Sequence, residues 1–219
     1  MQQLSLKRLL EISRPKFWHY LAGPYAIGAV LVYRDFTFQQ NIILLIGFIW
    51  HLLLGNFFVY GINDYCDKDT DIFNPEKKNN LDEVLLVLSE HKYLIKCLWV
   101  SVVLGVAIWS AAVILNWASY VSLISFFLFI FFSWGYSSPP IRAKSRLFWD
   151  GFFNVLYVLP AITSYGIAGK FINIEIVIAA TLWCMAMHAF SAIPDIMADA
   201  KAGLHTTAVY FGAKNTLLY

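Results

Sequence analysis

The chain has 219 residues, 59% hydrophobic and only 14% charged, with a mean hydropathy of +0.62. That composition excludes an ordinary soluble domain, and its long apolar runs lack the alternation of a transmembrane β-barrel. The formal net charge of +2 gives no reason to expect a nucleic-acid partner.

Residues 1–13 read as a short amphipathic helix lying on a membrane surface, with Leu4, Leu6, Leu9, Leu10 and Ile12 set between charges. Six apolar runs follow, at 17–33, 41–62, 94–115, 118–135, 148–169 and 173–194, each close to the roughly 20 residues that cross a bilayer. Bilayer physics then dictates helices. The expected fold is all-α, a polytopic transmembrane bundle forming one domain over residues 1–219. From Thr207 the run TAVYFGAKNTLLY reads as the start of a seventh span, so the chain is expected to be truncated at its C-terminus.

With the N-terminus inside, six spans leave Arg34 and Lys170 outside and the other fourteen of the 16 basic residues inside. This is a strong positive-inside bias. It predicts an integral protein of the plasma or inner membrane, with cytoplasmic segments at 63–93 and 195–206. Cys66, Cys97 and Cys184 lack metal or redox spacing and read as packing residues. His51 and His188 fall inside apolar runs, and His205 follows the last one; no two histidines have metal-ligand spacing, so each is expected to be hydrogen-bonded in the bundle.

Two acidic clusters stand out, because carboxylates beside lipid are costly and usually mark a site. The first is NDYCDKDTD, with Asn63, Asp64, Asp67 and Asp71; the second is DIMADAKAG, with Asp195, Asp199 and Lys201. If the second span stays helical through this stretch, Asn63, Asp67 and Asp71 fall within roughly 80° of one another, with Asp64 beside them. Asp195 and Asp199 share a face in the same way. Mg²⁺ takes oxygen ligands, often one or two carboxylates plus substrate phosphates, so two facing clusters suit a polyphosphate clamp. An EF-hand reading fails: counting from Asp67, position six is Ile72 instead of glycine and position twelve is Lys78 instead of glutamate. The loop YSSPPIRAKSR, starting at Tyr136, supplies Arg142, Lys144 and Arg146 as candidate phosphate ligands. Pro139 and Pro140 stop the preceding helix. Trp18, Phe57, Phe58, Tyr60, Trp134 and Trp149 either pack and anchor or present π faces to a carbocation.

These strings resemble the UbiA superfamily of intramembrane prenyltransferases. The family pattern N-D-x-x-D-x-x-x-D is similar to Asn63, Asp64, Asp67 and Asp71; D-x-x-x-D resembles Asp195 and Asp199, followed by Lys201; Y-S-x-P-P-x-R-x-K resembles Tyr136, Arg142 and Lys144. The opening SRPKFWHYLAGPYAIG, with Arg14, Pro15 and Trp18, is similar to the first span of family members. The resemblance runs from about residue 13 to the C-terminus. It implies Mg²⁺ held by Asn63, Asp64, Asp67, Asp71, Asp195 and Asp199, and diphosphate contacts from Asn63, Arg142, Lys144 and Lys201. It also implies catalytic roles for Asp67, Asp195 and Tyr136. The partners it implies are an isoprenyl diphosphate donor, a hydrophobic acceptor and the lipid bilayer. The strings look most like the lycopene elongase branch; aromatic or quinone precursors and other lipids stay open as acceptors. Family members usually have nine spans, more than this chain holds.

Two other classes stay in view. An alcohol phosphatidyltransferase would carry a D-G-x-x-A-R string, which is absent. An ion-coupled transporter would place charge near mid-membrane, where these runs carry almost none.

Overall fold

The computed structural model describes residues 4–67 and 90–218. Among these residues the chain is helical, with no strand longer than one isolated bridge between Arg146 and His205. The elements are α1 (Leu6–Ile12), α2 (His19–Val30), α3 (Phe38–Cys66), α4 (His91–Ile114), α5 (Tyr120–Ser137), α6 (Trp149–Ala168), α7 (Ile174–Ser191), α8 (Ile196–Lys201) and α9 (Thr207–Thr216). Five of them, α3 to α7, are long and apolar enough to cross a membrane.

The run expected at 17–33 yields only the 12 residues of α2, after a 3-10 turn at Pro15–Phe17. Arg14, with φ 50°, breaks the helix before that turn. Apolar composition marks the whole stretch as suited to lipid, but backbone geometry decides where the helix starts. The second run extends beyond its expected end. α3 spans 29 residues to Cys66, because its last polar turn is covered by protein instead of water. Mid-way, α3 takes one wider turn at His51–Gly55, a π-helical segment. Asn56 Nδ2 satisfies the displaced carbonyls, donating to His51 O (2.9 Å) and Leu52 O (3.0 Å).

Helix α6 is the most enclosed of the spans and α7 the least. α6 packs on α2, α5 and α7. Its contact with α2 depends on Gly28, where any Cβ would collide with Ala161 O, and Ser164 Oγ donates to Tyr25 O (2.7 Å) across the seam. Close approach at small residues with hydroxyl cross-bonds is how helices associate without a hydrophobic drive between them. An aromatic core fills the space between α3, α4 and α5: Trp50, Trp109, Phe126 and Phe129 are buried there, with Trp50 Nε1 donating to Ser101 O (3.1 Å). A second cluster of Ile12, Phe57, Phe58, Leu94 and Leu98 seats α1 against α3. Arg8 of α1 makes a two-pronged bond to Glu90 at the head of α4, at 3.0 and 3.1 Å. The outward faces, such as Ile174, Ile178, Leu182 and Trp183 of α7, stay apolar and exposed, as lipid contact requires.

Candidate active site

The ends of α3, α5 and α7 and the starts of α4 and α6 lie at one end of the bundle, and the chemistry-bearing residues gather there. α3 runs as far as Cys66, and Asp67 is its C-cap. The expected helix through residue 71 therefore ends five residues earlier, and Asp71 lies outside the described residues. Asp64 and Asp67 are both buried, and each meets a cation from elsewhere in the chain. Asp64 Oδ1 accepts from Arg14 Nη2 at 2.5 Å, and the Arg14 guanidinium lies 5.0 Å over the Tyr60 ring. Asp67 pairs with Lys144. Asn63 completes this corner. With its carboxamide oriented by its neighbours, its nitrogen donates to Asp67 Oδ2 (3.0 Å), and its oxygen accepts from Lys144 Nζ and Ser137 Oγ (3.2 Å each).

The loop after α5 delivers Lys144. The helix stops at Ser137, as the proline pair requires. Arg142 then takes a left-handed conformation (φ 42°). Arg14 on the facing segment does the same, and non-glycine residues are held this way at some cost, a signature of sites under constraint. Nε and Nη2 of Arg142 are buried with no hydrogen-bond partner among the described residues. Donors buried without an acceptor carry a desolvation cost that a hydrogen-bonding partner removes.

The second acidic cluster sits on a short helix. Asp195 is the N-cap residue of α8 and Asp199 lies in its first turn, both half-buried. The Asp199 carboxyl is pushed up to about 6, first by burial and then by the charge of Asp195, with smaller contributions from Asp150 and Asp67; Lys144 opposes the shift. The two clusters therefore converge. Lys201 is exposed at the end of α8 and makes no ion pair among the described residues. Tyr136 sits inside the site, within electrostatic range of Asp67, Asp150 and Asp199. No group of three or more His, Cys, Asp or Glu has metal-holding geometry among the described residues.

One residue here escaped the sequence reading, and another, His188, was expected only as a hydrogen-bonded histidine of the bundle. Asp150, in the first turn of α6, is fully buried. It accepts from Gly151 N (2.9 Å), Thr207 N (2.7 Å) and Thr207 Oγ1 (2.5 Å), which fixes the head of α9 to α6. His188 Nε2 lies 3.9 Å from Asp150 Oδ2, and the His188 ring stands edge-on to Tyr136 at 6.1 Å. A lone aspartate opening an apolar run and a lone histidine closing one carry little signal until the fold joins them. His51, in contrast, is a packing histidine: fully buried, with Nδ1 2.8 Å from Gly47 O.

The model of the UbiA prenyltransferase family matches residues 21–219. The chain belongs to this family. Among UbiA relatives, the lycopene elongase/hydratase of Halobacterium salinarum is 36% identical, over 96% of this chain and 74% of its own length. That of Haloarcula japonica is 33% identical over 100% of this chain and 71% of its own. A UbiA homolog from Archaeoglobus fulgidus, solved bound to GPP and Mg²⁺, superimposes with a TM-score of 0.79 at 24% identity, covering 96% of this chain and 71% of that one. Its structure bound to DMAPP and Mg²⁺ gives 0.78. The helical membrane bundle is thus the UbiA fold, and the protein is an integral membrane prenyltransferase.

Proposed function

We propose that this protein transfers an isoprenyl group from an isoprenyl diphosphate to a hydrophobic acceptor within the membrane, and that the acceptor is a lycopene-like carotenoid. The observation that carries the reading is the meeting of Asp67, Asp195 and Asp199 with Lys144 and the unpartnered Arg142 guanidinium at one end of the bundle. Mutual repulsion at Asp199 marks excess negative charge, which a divalent cation relieves. Oxygen donors of this kind suit Mg²⁺, and Asn63, Asp64, Asp67, Asp71, Asp195 and Asp199 are the residues that would hold it. Bound there, Mg²⁺ supplies charge neutralisation to the departing diphosphate.

The protein's own groups do the rest. Arg142 and Lys144 bind phosphate oxygens, and Arg142 loses its burial penalty when it does so. Below the charged end, Phe17, Tyr20, Tyr60 and Tyr157 form a run of touching rings, with centroids 5.6, 5.9 and 6.0 Å apart along the chain of contacts. Their π faces steady an allylic cation and exclude water from it. The basic residues favour a cytoplasmic placement for this end of the bundle, with α1 on the membrane surface. The carotenoid acceptor is supported by the lycopene elongase/hydratases among the relatives.

The test uses membranes carrying the protein, Mg²⁺, labelled dimethylallyl or geranylgeranyl diphosphate, and an acceptor panel that includes lycopene and 4-hydroxybenzoate. Diphosphate release should fall roughly 100-fold or more in Asp67→Ala and Asp195→Ala. Release that survives unchanged in both variants sinks the mechanism. Product from lycopene alone supports the carotenoid reading, and product from the aromatic acid overturns it.

A further inference from the structure

Prenyl transfer to a carbon acceptor creates a proton that must leave. The donor C–O bond breaks and its electron pair departs with the diphosphate. The acceptor double bond supplies the pair for the new C–C bond, leaving a cation on its other carbon. Loss of an adjacent C–H proton restores a double bond there. A base has to stand beside the site, and the acidic clusters are poor candidates. Asp64 and Asp67 are already paired with Arg14 and Lys144, and Asp195 and Asp199 belong to the cation site proposed above.

We infer that His188 is the proton acceptor and that Asp150 is its positioning residue. This rests on the prenyl-transfer reading. Asp150 carries about four acceptor positions on its two oxygens. Gly151 N and the two donors of Thr207 take three, and the remaining position on Oδ2 faces His188 Nε2. This arrangement directs the Nε2–H tautomer toward the carboxylate and leaves Nδ1 as the basic nitrogen. Nδ1 has no hydrogen bond among the described residues. The pair is longer than a hydrogen bond at 3.9 Å, as catalytic contacts often are before substrate binds. On protonation, the buried Asp150 carboxylate offsets the imidazolium charge, the part played by the orienting aspartate in hydrolytic triads.

The other histidines do not fit the role. His51 is enclosed in the aromatic core, His19 and His205 are exposed, and His91 stands edge-on to Tyr65 at the head of α4. His188 alone among them lies against Tyr136, edge-on at 6.1 Å, and its one acidic neighbour among the described residues is Asp150, which is not one of the proposed cation ligands. That location suits a base serving the acceptor side of the reaction instead of the diphosphate side.

The experiment measures partition: moles of prenylated acceptor per mole of diphosphate released. In His188→Gln the ratio should fall about 100-fold, the usual worth of a general base: an acceptor cation that cannot lose its proton reverts by breaking the new C–C bond, and water captures the freed allylic cation as prenyl alcohol, releasing a proton to solvent. Added imidazole should restore the ratio in His188→Ala, and Asp150→Asn should lower it at unchanged donor KM. A ratio unchanged in His188→Gln overturns the assignment. So does equal loss of release and transfer without imidazole rescue, since a structural role predicts that result. Wild-type protein that releases no diphosphate overturns prenyl transfer itself, and this inference with it.

Discussion

The two acidic segments both gather aspartates in a short window, yet the protein treats them differently. Asp64 and Asp67 are buried and already neutralised, by Arg14 and Lys144. Asp195 and Asp199 stand half-exposed on a six-residue helix, and Asp199 has no ion pair of its own among the described residues. The first segment is therefore part of the fold, cross-linked to the residues before α2 and to the loop after α5. The second is a short helix on which the Asp199 carboxyl is held up by burial and by its acidic neighbours. Breaking partners in the first should cost stability, whereas neutralising the second should change ion dependence.

The largest effect on folding belongs to Arg14→Ala. It leaves the buried Asp64 carboxylate without the guanidinium that accepts its charge, and such one-sided removals cost about 3–5 kcal/mol. Chemical denaturation in detergent should show the loss. Arg14→Ala combined with Asp64→Ala should recover much of it, because the stranded charge is then gone. If the double variant is no better than the single one, the buried pair is not what anchors this corner.

Packing in the middle of the bundle gives a smaller effect, about 1–3 kcal/mol. A methyl group at Gly105 would be driven into Phe126 and Trp50, so Gly105→Ala should lower the melting temperature. Because the aromatic core lies away from the charged corner, donor KM should hold. A change in KM without a change in melting would show that the core and the site are coupled.

Arg142→Ala should do the reverse. The guanidinium has buried nitrogens without a hydrogen-bond partner among the described residues, so its removal costs the fold little. Losing a charge-assisted contact of about 1.5–3 kcal/mol to phosphate raises donor KM roughly 10- to 100-fold. Kinetics measured beside thermal melts would separate the two effects, and a destabilised Arg142→Ala would argue that the side chain serves the fold instead.

This contrast marks what a sequence can and cannot announce. Spans from α3 to α7 follow from apolar run length, and NDYCDKDTD, YSSPPIRAK and DIMADAKAG were legible because each gathers charged or loop-forming residues in a short window. Partnerships across the chain were not legible. Arg14 and Asp64 are 50 residues apart, and Asp67 and Lys144 are 77 apart. Spacing along one helix says nothing about which distant cation arrives. The end of α3 at Cys66 was misjudged for the same reason, since its cap is set by tertiary contacts. Asp150 went unread, and His188 was read only as a hydrogen-bonded bundle histidine, because each is single in its own segment and only the packing of α6 against α7 joins them.

The subtlest prediction concerns pH at the second segment. Asp199 has its folded carboxyl raised to about 6 from an ordinary value near 3.8. A group raised in this way favours the folded state while protonated. Its contribution is complete below the unfolded value and is lost as pH rises through the folded one. In the chelated protein, melting temperature should therefore decline from pH 5 to 7, and Asp199→Asn should flatten that decline. Mg²⁺ requires the ionised carboxylate, so it should restore the loss above pH 6 and compete poorly with protons below it. The small size of the expected change follows from partial exposure, which lets water screen much of the repulsion. If Mg²⁺ stabilises wild type and Asp199→Asn equally at pH 7.5, the cation does not depend on Asp199. The raised carboxyl would then reflect only the crowding of Asp195, Asp150 and Asp67 around it.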